Sequence, residues 1–530
     1  MQGDTLQVLI TMGCYMLIVI GIGIFFAKRA QKSTSEYYLG GRSLGPWVAA
    51  MSAEASDMSG WLLMGLPGVA YWCGLADAAW TAIGLALGTY INWLIVAKRL
   101  RNYSIVSGNS ITVPEFFSNR FHENKKVLLS IAALFILVFF TVYAASCFVT
   151  CGKLFSTLFG FSYHSMMIAG ALFVIFYTFI GGFLAESASD FMQAIVMIIA
   201  LLTILITGTH AAGGLQAVLE NAKAIPGYFS LTSLATPSVD AAGVQQTANG
   251  VPLFGDPGAY GFLTIISTLS WGLGYFGMPQ VLLRFMAIRR AKELRKSRRI
   301  AAVWCVISLL AAVFIGVLGR SLLPTDESLM TASGAENVFI QLSGTLLPPL
   351  LAGLVMAGIL AATISSSDSY LLIAASAFAK NIYSGVLKRT AKDREVMWVS
   401  RIILLIISAI GIVIAWDENS VIFTIVSFAW AGFGATFGPV MLFSLFWRRM
   451  NRAGAIAGMI TGGAMVFIWK LLLKPLGGLF GIYELFPAFV LSCIAIVVVS
   501  LLTAPPASEI TQEFDKVAAF REEDAVAEKI

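Results

Sequence analysis

The chain is written in long apolar runs separated by short polar segments. At roughly 20 residues per membrane crossing, the runs predict about thirteen spans. They fall near residues 6–26, 46–70, 75–97, 127–155, 163–184, 190–210, 259–287, 300–322, 346–379, 398–415, 421–446, 453–473 and 485–503. The first run is long enough to span, and Lys28 and Arg29 follow it rather than precede it. It is therefore expected to be a retained helix and not a cleaved leader.

Two runs carry the wrong residues for plain spans. The second reads Glu54, Ala55, Ser56, Asp57, Met58, Ser59, Gly60, Trp61, with Gly65, Pro67 and Gly68 close behind. Polar, glycine-rich backbone at membrane depth is tolerated only where it is buried in protein or lines a cavity. A carboxylate there costs roughly 2.5–3.5 kcal/mol on insertion scales, so by default it marks an ion or substrate path. An interrupted helix exposes carbonyls on one half, which suit a hard cation, and amides on the other, which suit a carboxylate. The stretch reads as the cation and substrate site of a transporter. The plainer reading puts Asp57 in a solvated loop after an early helix end. Against it, apolar residues resume at once in Trp61-Leu-Leu-Met64.

The second interruption is Ser270-Trp-Gly-Leu-Gly-Tyr-Phe-Gly-Met-Pro279, in the seventh run. Two Gly/Pro-broken spans in corresponding positions are the sequence mark of an inverted repeat. An odd number of spans separates them, so the repeats have opposite topology. The prediction is an all-α polytopic membrane protein with one transporter domain, residues 1–505. Repeat one covers about 46–210 and repeat two about 259–446, with peripheral helices at 6–26 and 453–503. Residues 506–530 form a short tail, too small for a catalytic domain.

Charge sets the orientation. Lysine and arginine cluster after the odd-numbered runs, as in Lys28, Arg29, Lys32 and Arg42, in Lys98, Arg99 and Arg101, and in Arg289 to Arg299. The alternate loops are nearly free of them; residues 211–258 hold only Lys223. By the positive-inside rule the amino terminus lies outside and the carboxyl terminus inside. The net charge of +6 thus reflects orientation and gives no nucleic-acid signal. With 58% hydrophobic and 12% charged residues, a soluble class is excluded and a lipid bilayer is the expected surroundings. The six cysteines and three histidines show no disulfide or metal spacing. No phosphate loop, nucleophile elbow or zinc motif suggests an enzyme. Gly84-x-x-x-Gly88 and Gly454-x-x-x-Gly458-x-x-x-Gly462 predict close helix packing within the chain, in preference to a dimer interface.

Further polar groups fall inside the runs. The ninth holds Ala362, Ser365, Ser366, Ser367, Asp368 and Ser369, with Ala362 and Ser366 on one helical face. Hydroxyls and carbonyls are ligands for a hard, weakly bound cation. A lone membrane serine usually bonds its own backbone, but this run is too dense for that to be its whole role. Asp190 reads equally as a loop carboxylate and as a group on an inward ion path. Trp271, Tyr275 and Tyr143, beside the broken helices, are candidates to wall a small pocket.

Long motifs point to a known family. Leu39-Gly-Gly-Arg-Ser-Leu-Gly-Pro46, Ala55 through Gly68, Tyr177 through Ala185, Trp271 through Gly277 with Pro279, Arg284-Phe-Met-Ala287, and Ala429 through Pro439 resemble the sodium/solute symporter family along roughly residues 6–505. The resemblance is strongest to its bacterial proline-carrying members. It implies a leucine-transporter-like five-plus-five inverted repeat, the first helix of each repeat broken, with alternating access. It implies import of L-proline with a co-transported sodium ion; another small carboxylate or a sugar is the alternative, and a sensor or channel a more distant one. Carried over by residue, the sodium site takes the carbonyls of Ala55, Met58 and Ala362 and the hydroxyls of Ser365 and Ser366, with Asp57 needed for sodium dependence. Substrate lies against Ser59, Gly60, Trp61, Tyr143, Trp271, Tyr275 and Pro279. Arg42 matches a functional arginine of the first inner loop. The chain departs from the pattern at Ser366 (threonine expected), Glu54 (a small residue), Met278 (glutamine) and Asp368. Ser365, Asp368, Ser369 and Asp190 are candidates for a second ion site.

Overall fold

The computed structural model describes residues 2–30, 33–181 and 183–520. Lys32, Gly182 and the last part of the tail, 521–530, lie outside the described residues. Helix α1 is Gln2–Ala30. Helix α2, Pro46–Asp57, opens on a proline, which has no N–H to leave unsatisfied in the first turn. It stops at Met58, whose φ of −89° and ψ of 78° turn the backbone out of the helix. A π-helical turn, Trp61–Gly65, then leads into α3, Leu66–Cys73. Gly74, at φ 85°, ends it in a conformation that side chains disfavour.

Helices α4 (Leu75–Ile91) and α5 (Ala97–Val106) are joined by a π-helical turn, Asn92–Val96. Then come α6 (Val127–Phe159), α7 (Tyr163–Gly181) and α8 (Phe183–Ala211). The second break follows the same plan as the first. Helix α9, Phe262–Leu269, passes into a 3-10 stretch, Ser270–Phe276. Met278 is extended, and α10, Pro279–Ala287, restarts on proline. The chain continues with α11 (Leu294–Leu322), α12 (Pro349–Ser376), α13 (Asp393–Ile414), α14 (Ile422–Phe446), α15 (Arg452–Ile468), α16 (Leu485–Leu502) and a short α17 (Ser508–Ala519), besides the short helices Thr34–Leu39, Val113–Arg120, Leu215–Ala224 and Val338–Leu346.

Among the described residues, ten helices are long and apolar enough to cross a membrane. Three shorter apolar ones, Trp61–Cys73, Tyr163–Phe179 and Phe262–Phe276, fall in the second, fifth and seventh runs, and two of these are cut by the breaks. The sixth helix starts at Phe183, not near 190, so Asp190 is in its second turn and is not a loop carboxylate.

Both glycine ladders are explained within the chain. A Cβ on Gly84 would lie 2.5 Å from the Leu269 carbonyl oxygen, and one on Gly272 would press on the Gly84 carbonyl and lie 3.2 Å from the Gly88 Cα. Thus α4 meets the broken segment backbone to backbone. Gly454 and Gly458 pack on Ile496 of α16, and Gly462 on the α14 backbone at Ala435 and Thr436. Helices α2, α8, α11 and α12 pack around the first break, with α14 against it and against the second.

Candidate functional site

The first break points its carbonyls at α12. The hydroxyls of Ser365 and Ser366 donate to the Ala55 carbonyl at 2.8 and 3.2 Å, and Ser365 also donates to the Ala362 carbonyl at 3.2 Å. All four residues are fully buried. Two hydroxyls and two carbonyls from facing helices form the oxygen set a hard cation takes. Met58, the remaining expected ligand, sits at the break itself, with its amide on the Glu54 carbonyl at 2.9 Å.

Asp57 joins the two breaks. Its Oδ2 accepts from the Tyr275 hydroxyl at 2.8 Å, and its Oδ1 has no partner among the described residues. The Asp57 carbonyl receives the Trp61 indole at 3.2 Å and longer contacts from Tyr143 and Tyr370 at 3.4 and 3.5 Å. One turn earlier, Glu54 Oε1 accepts from Thr89 at 3.1 Å and Trp93 at 3.3 Å. The unexpected acid therefore faces α4 and its π-helical turn, on the far side of α2 from the serines.

Aromatic rings cluster beyond the break. The Trp61 and Trp271 ring centres are 6.2 Å apart, and Trp271 stacks on Tyr483 at 5.2 Å. Trp430 donates to the Trp271 carbonyl at 2.8 Å and meets Tyr275 edge-on at 5.1 Å. Tyr143 stacks on Tyr370 at 4.2 Å. The Ser59 hydroxyl is buried without a partner among the described residues. Gly60 faces Thr150 so closely that a Cβ would come 2.9 Å from the Thr150 Cβ. Pro279 stands apart. It heads α10 and borders a separate cavity of about 10 Å³ beside Ile136 and Leu283.

The candidates for a second ion site meet a built-in cation. Arg284, buried on α10, donates to Asp190 Oδ2 at 3.1 Å and to the Ser369 hydroxyl at 3.0 Å, and also pairs with Glu186. Ser52 donates to the same Asp190 oxygen at 2.6 Å. A guanidinium thus already bonds Asp190 and Ser369, two of the candidate ligands. Asp368 Oδ1 accepts the adjacent Ser369 amide at 2.8 Å, and its Oδ2 has no partner among the described residues. Arg42 ties down the basic end of the molecule, donating to the Met286 carbonyl at 2.6 Å and the Ser110 carbonyl at 2.7 Å. Burial, with Arg101 beside it, lowers its ionisation to about 10, so it stays charged at neutral pH.

Sequence reading missed Tyr370, Thr150, Trp430 and the Glu186–Arg284 pair as parts of this region. Tyr370 was findable: it lies four residues after Ser366, on the same helical face. Nothing local marks Thr150 or Trp430.

Known proteins fit this geometry. Two relatives, sodium/proline symporters of Staphylococcus aureus strains USA300 / TCH1516 and NCTC 8325, are each 41% identical over 517 residues, covering 96% of both chains. A solved sodium-coupled sialic acid symporter, substrate-bound and outward-open, superposes with TM-score 0.74 at 19% identity, covering 94% of this chain and 99% of its own. The nucleobase-cation-symport-1 transporter Mhp1, closed around bromovinylhydantoin, gives TM-score 0.51 at 14% identity, with 92% and 99% covered. The fold is therefore that of the leucine-transporter-like carriers, with a broken helix leading each repeat. The profile of the Sodium:solute symporter family matches residues 37–462, and the chain belongs to that family.

Proposed function

We propose that this protein imports L-proline together with sodium by alternating access across a plasma membrane. Thirteen spans are proposed, with the amino terminus outside. The observation that carries the reading is the meeting of Ser365 and Ser366 with the Ala55 carbonyl, next to a carboxylate that holds the second break through Tyr275. Sodium replaces the hydroxyl protons as the partner of that carbonyl and fastens α2 to α12. Asp57 supplies the negative field that draws the cation in. The amide end near Ser59 and Gly60 receives the substrate carboxylate, and Trp61, Trp271, Tyr275 and Tyr143 enclose its ring.

The relatives' proline specificity supports the substrate, as does a wall of rings suited to a small aliphatic ring. One sodium moving inward gains about 2.3 kcal/mol per 100 mV and about 1.4 kcal/mol per tenfold gradient. Together these support roughly several-hundred-fold accumulation of a neutral zwitterion.

The test uses purified protein in proteoliposomes. Proline added with an inward sodium gradient produces an inward current and labelled-proline uptake, and potassium does not substitute for sodium. Uptake that ignores sodium overturns the coupling. Sodium-dependent uptake of a different carboxylate or a sugar, with no competition by proline, overturns the substrate alone.

A further inference from the structure

Apart from the transport site, the structure has a cavity of about 570 Å³ where the end of α4 and α5 meets the start of α11. Its rim carries four cations from two helices and the turn before the second: Lys98, Lys292, Arg295 and Arg298. Phe520, the last described residue, also lines it, and among the described residues no carboxylate does. Glu293, the nearest acid in sequence, is taken by Arg289 at 2.9 Å. Arg298 lies 5.4 Å over the Tyr90 ring, and its Nε is buried without a partner among the described residues. Asn102, also in the lining, is 4% exposed, and its side-chain oxygen likewise has no partner among the described residues.

The approach to the cavity is apolar. Trp93 and Leu94 form part of its lining, and Ile91, Leu94 and Ile95 are exposed along the same membrane helix at 40%, 47% and 39%. A basic cluster at this end of the helices also sets orientation. Orientation requires neither a cavity, nor a buried unpaired guanidinium nitrogen, nor an acceptor beside it. Basic pockets between membrane helices recognise anionic head groups.

We propose that this cavity binds one anionic phospholipid bearing a head-group hydroxyl, of the phosphatidylglycerol kind. The phosphate sits among the four cations. The Asn102 oxygen accepts from the head-group hydroxyl, and an acyl chain lies along Ile91, Leu94 and Ile95. The lipid stitches α5 to α11 at the basic end, where Arg101 already bonds the Ile288 and Arg289 carbonyls at 2.9 and 2.7 Å.

The experiment is native mass spectrometry and thermal melting of the detergent-purified full chain, stripped of lipid and titrated with phosphatidylglycerol or phosphatidylcholine. Phosphatidylglycerol is retained with a preference of roughly tenfold or more, and it raises the melting temperature. The Lys98→Gln/Lys292→Gln double variant changes only exposed side chains, so it leaves the fold intact and cuts that preference. Adding Arg295→Gln and Arg298→Gln removes it. Lys388→Gln/Arg389→Gln/Lys392→Gln, in another basic loop, keeps it. Equal retention by wild type and the double variant overturns the proposal. So does a melting shift of the same size from glycerol phosphate or inorganic phosphate alone, which would make this a soluble-anion site.

Discussion

Asp57 gives its carboxylate to one broken helix while belonging to the other, so in the proposed mechanism ion binding and substrate enclosure share a residue. The hydroxyl set beside it is arranged to be replaceable: each serine proton is donated to a carbonyl a cation can also use. Removing one hydroxyl deletes one oxygen ligand and leaves the Ala55 carbonyl with a single donor. A hydrogen-bonded group of this kind contributes about 1–1.5 kcal/mol. Ser365→Ala therefore raises the sodium concentration for half-maximal uptake about tenfold, with maximal rate at saturating sodium largely retained. A sodium titration of uptake checks this, and an unchanged half-saturation refutes the assignment. Gly60 is set by space rather than chemistry. A methyl group there would strike Thr150, whose Cβ would be 2.9 Å away. Gly60→Ala is expected to abolish labelled-substrate binding, and Gly60→Ala/Thr150→Ala to recover part of it. If the double variant is as inactive as the single, steric contact with Thr150 is not the cause.

At the scale of the helix, the two breaks are held by backbone-to-backbone packing. The α4 glycines lie against Leu269 and Gly272, with no flexible side chain between them to yield. Overpacking a rigid contact costs about 1–3 kcal/mol. Gly88→Ala is accordingly expected to lower the detergent melting temperature, whereas a Gly344→Ala change, with nothing within 4 Å of the added carbon, leaves it unchanged or raises it. The breaks themselves were legible in the sequence, because glycine, proline and acids inside an apolar run are costly in lipid unless the helix opens there against protein. The start of α8 was not. Asp190 reads equally as a loop carboxylate and as a group on an ion path, and nothing in one dimension singles out Glu186, yet Arg284 of α10 pairs with both inside the protein. A buried ion pair between distant elements looks, in one dimension, like two solvated ends. The same blindness hid Trp430, whose place is defined by the Trp271 carbonyl on the second break rather than by its neighbours in sequence.

Across the whole molecule the residues of the candidate site are screened from solvent. Asp57, Trp61, Tyr143 and Tyr275 are all 0% exposed. At the basic end, Arg42 clamps the chain near Met286 and Ser110. At the opposite end, Lys153 of α6 donates to Glu336 at 2.7 Å and to the Ser333 carbonyl at 3.1 Å. Glu336 in turn accepts the first amides of α14, Ile422 at 2.9 Å and Phe423 at 3.0 Å. One carboxylate thus fastens α6, the 3-10 turn Gly334–Asn337 and the start of α14. Removing one partner of a buried pair destabilises the arrangement by about 3–5 kcal/mol, less what the two amides still supply. Lys153→Ala should therefore loosen the closed form at this end without touching either break. The native thiols of Cys151 and Cys147 lie two and six residues before Lys153 and are buried. With the other four cysteines changed to serine, a water-soluble maleimide is expected to label these two faster in Lys153→Ala than in the parent. Lys153→Arg, which keeps the charge, should label at the parent's slow rate. Identical rates in all three would mean that this pair does not hold the end shut, and that closure there rests on the aromatic packing around Trp271 instead.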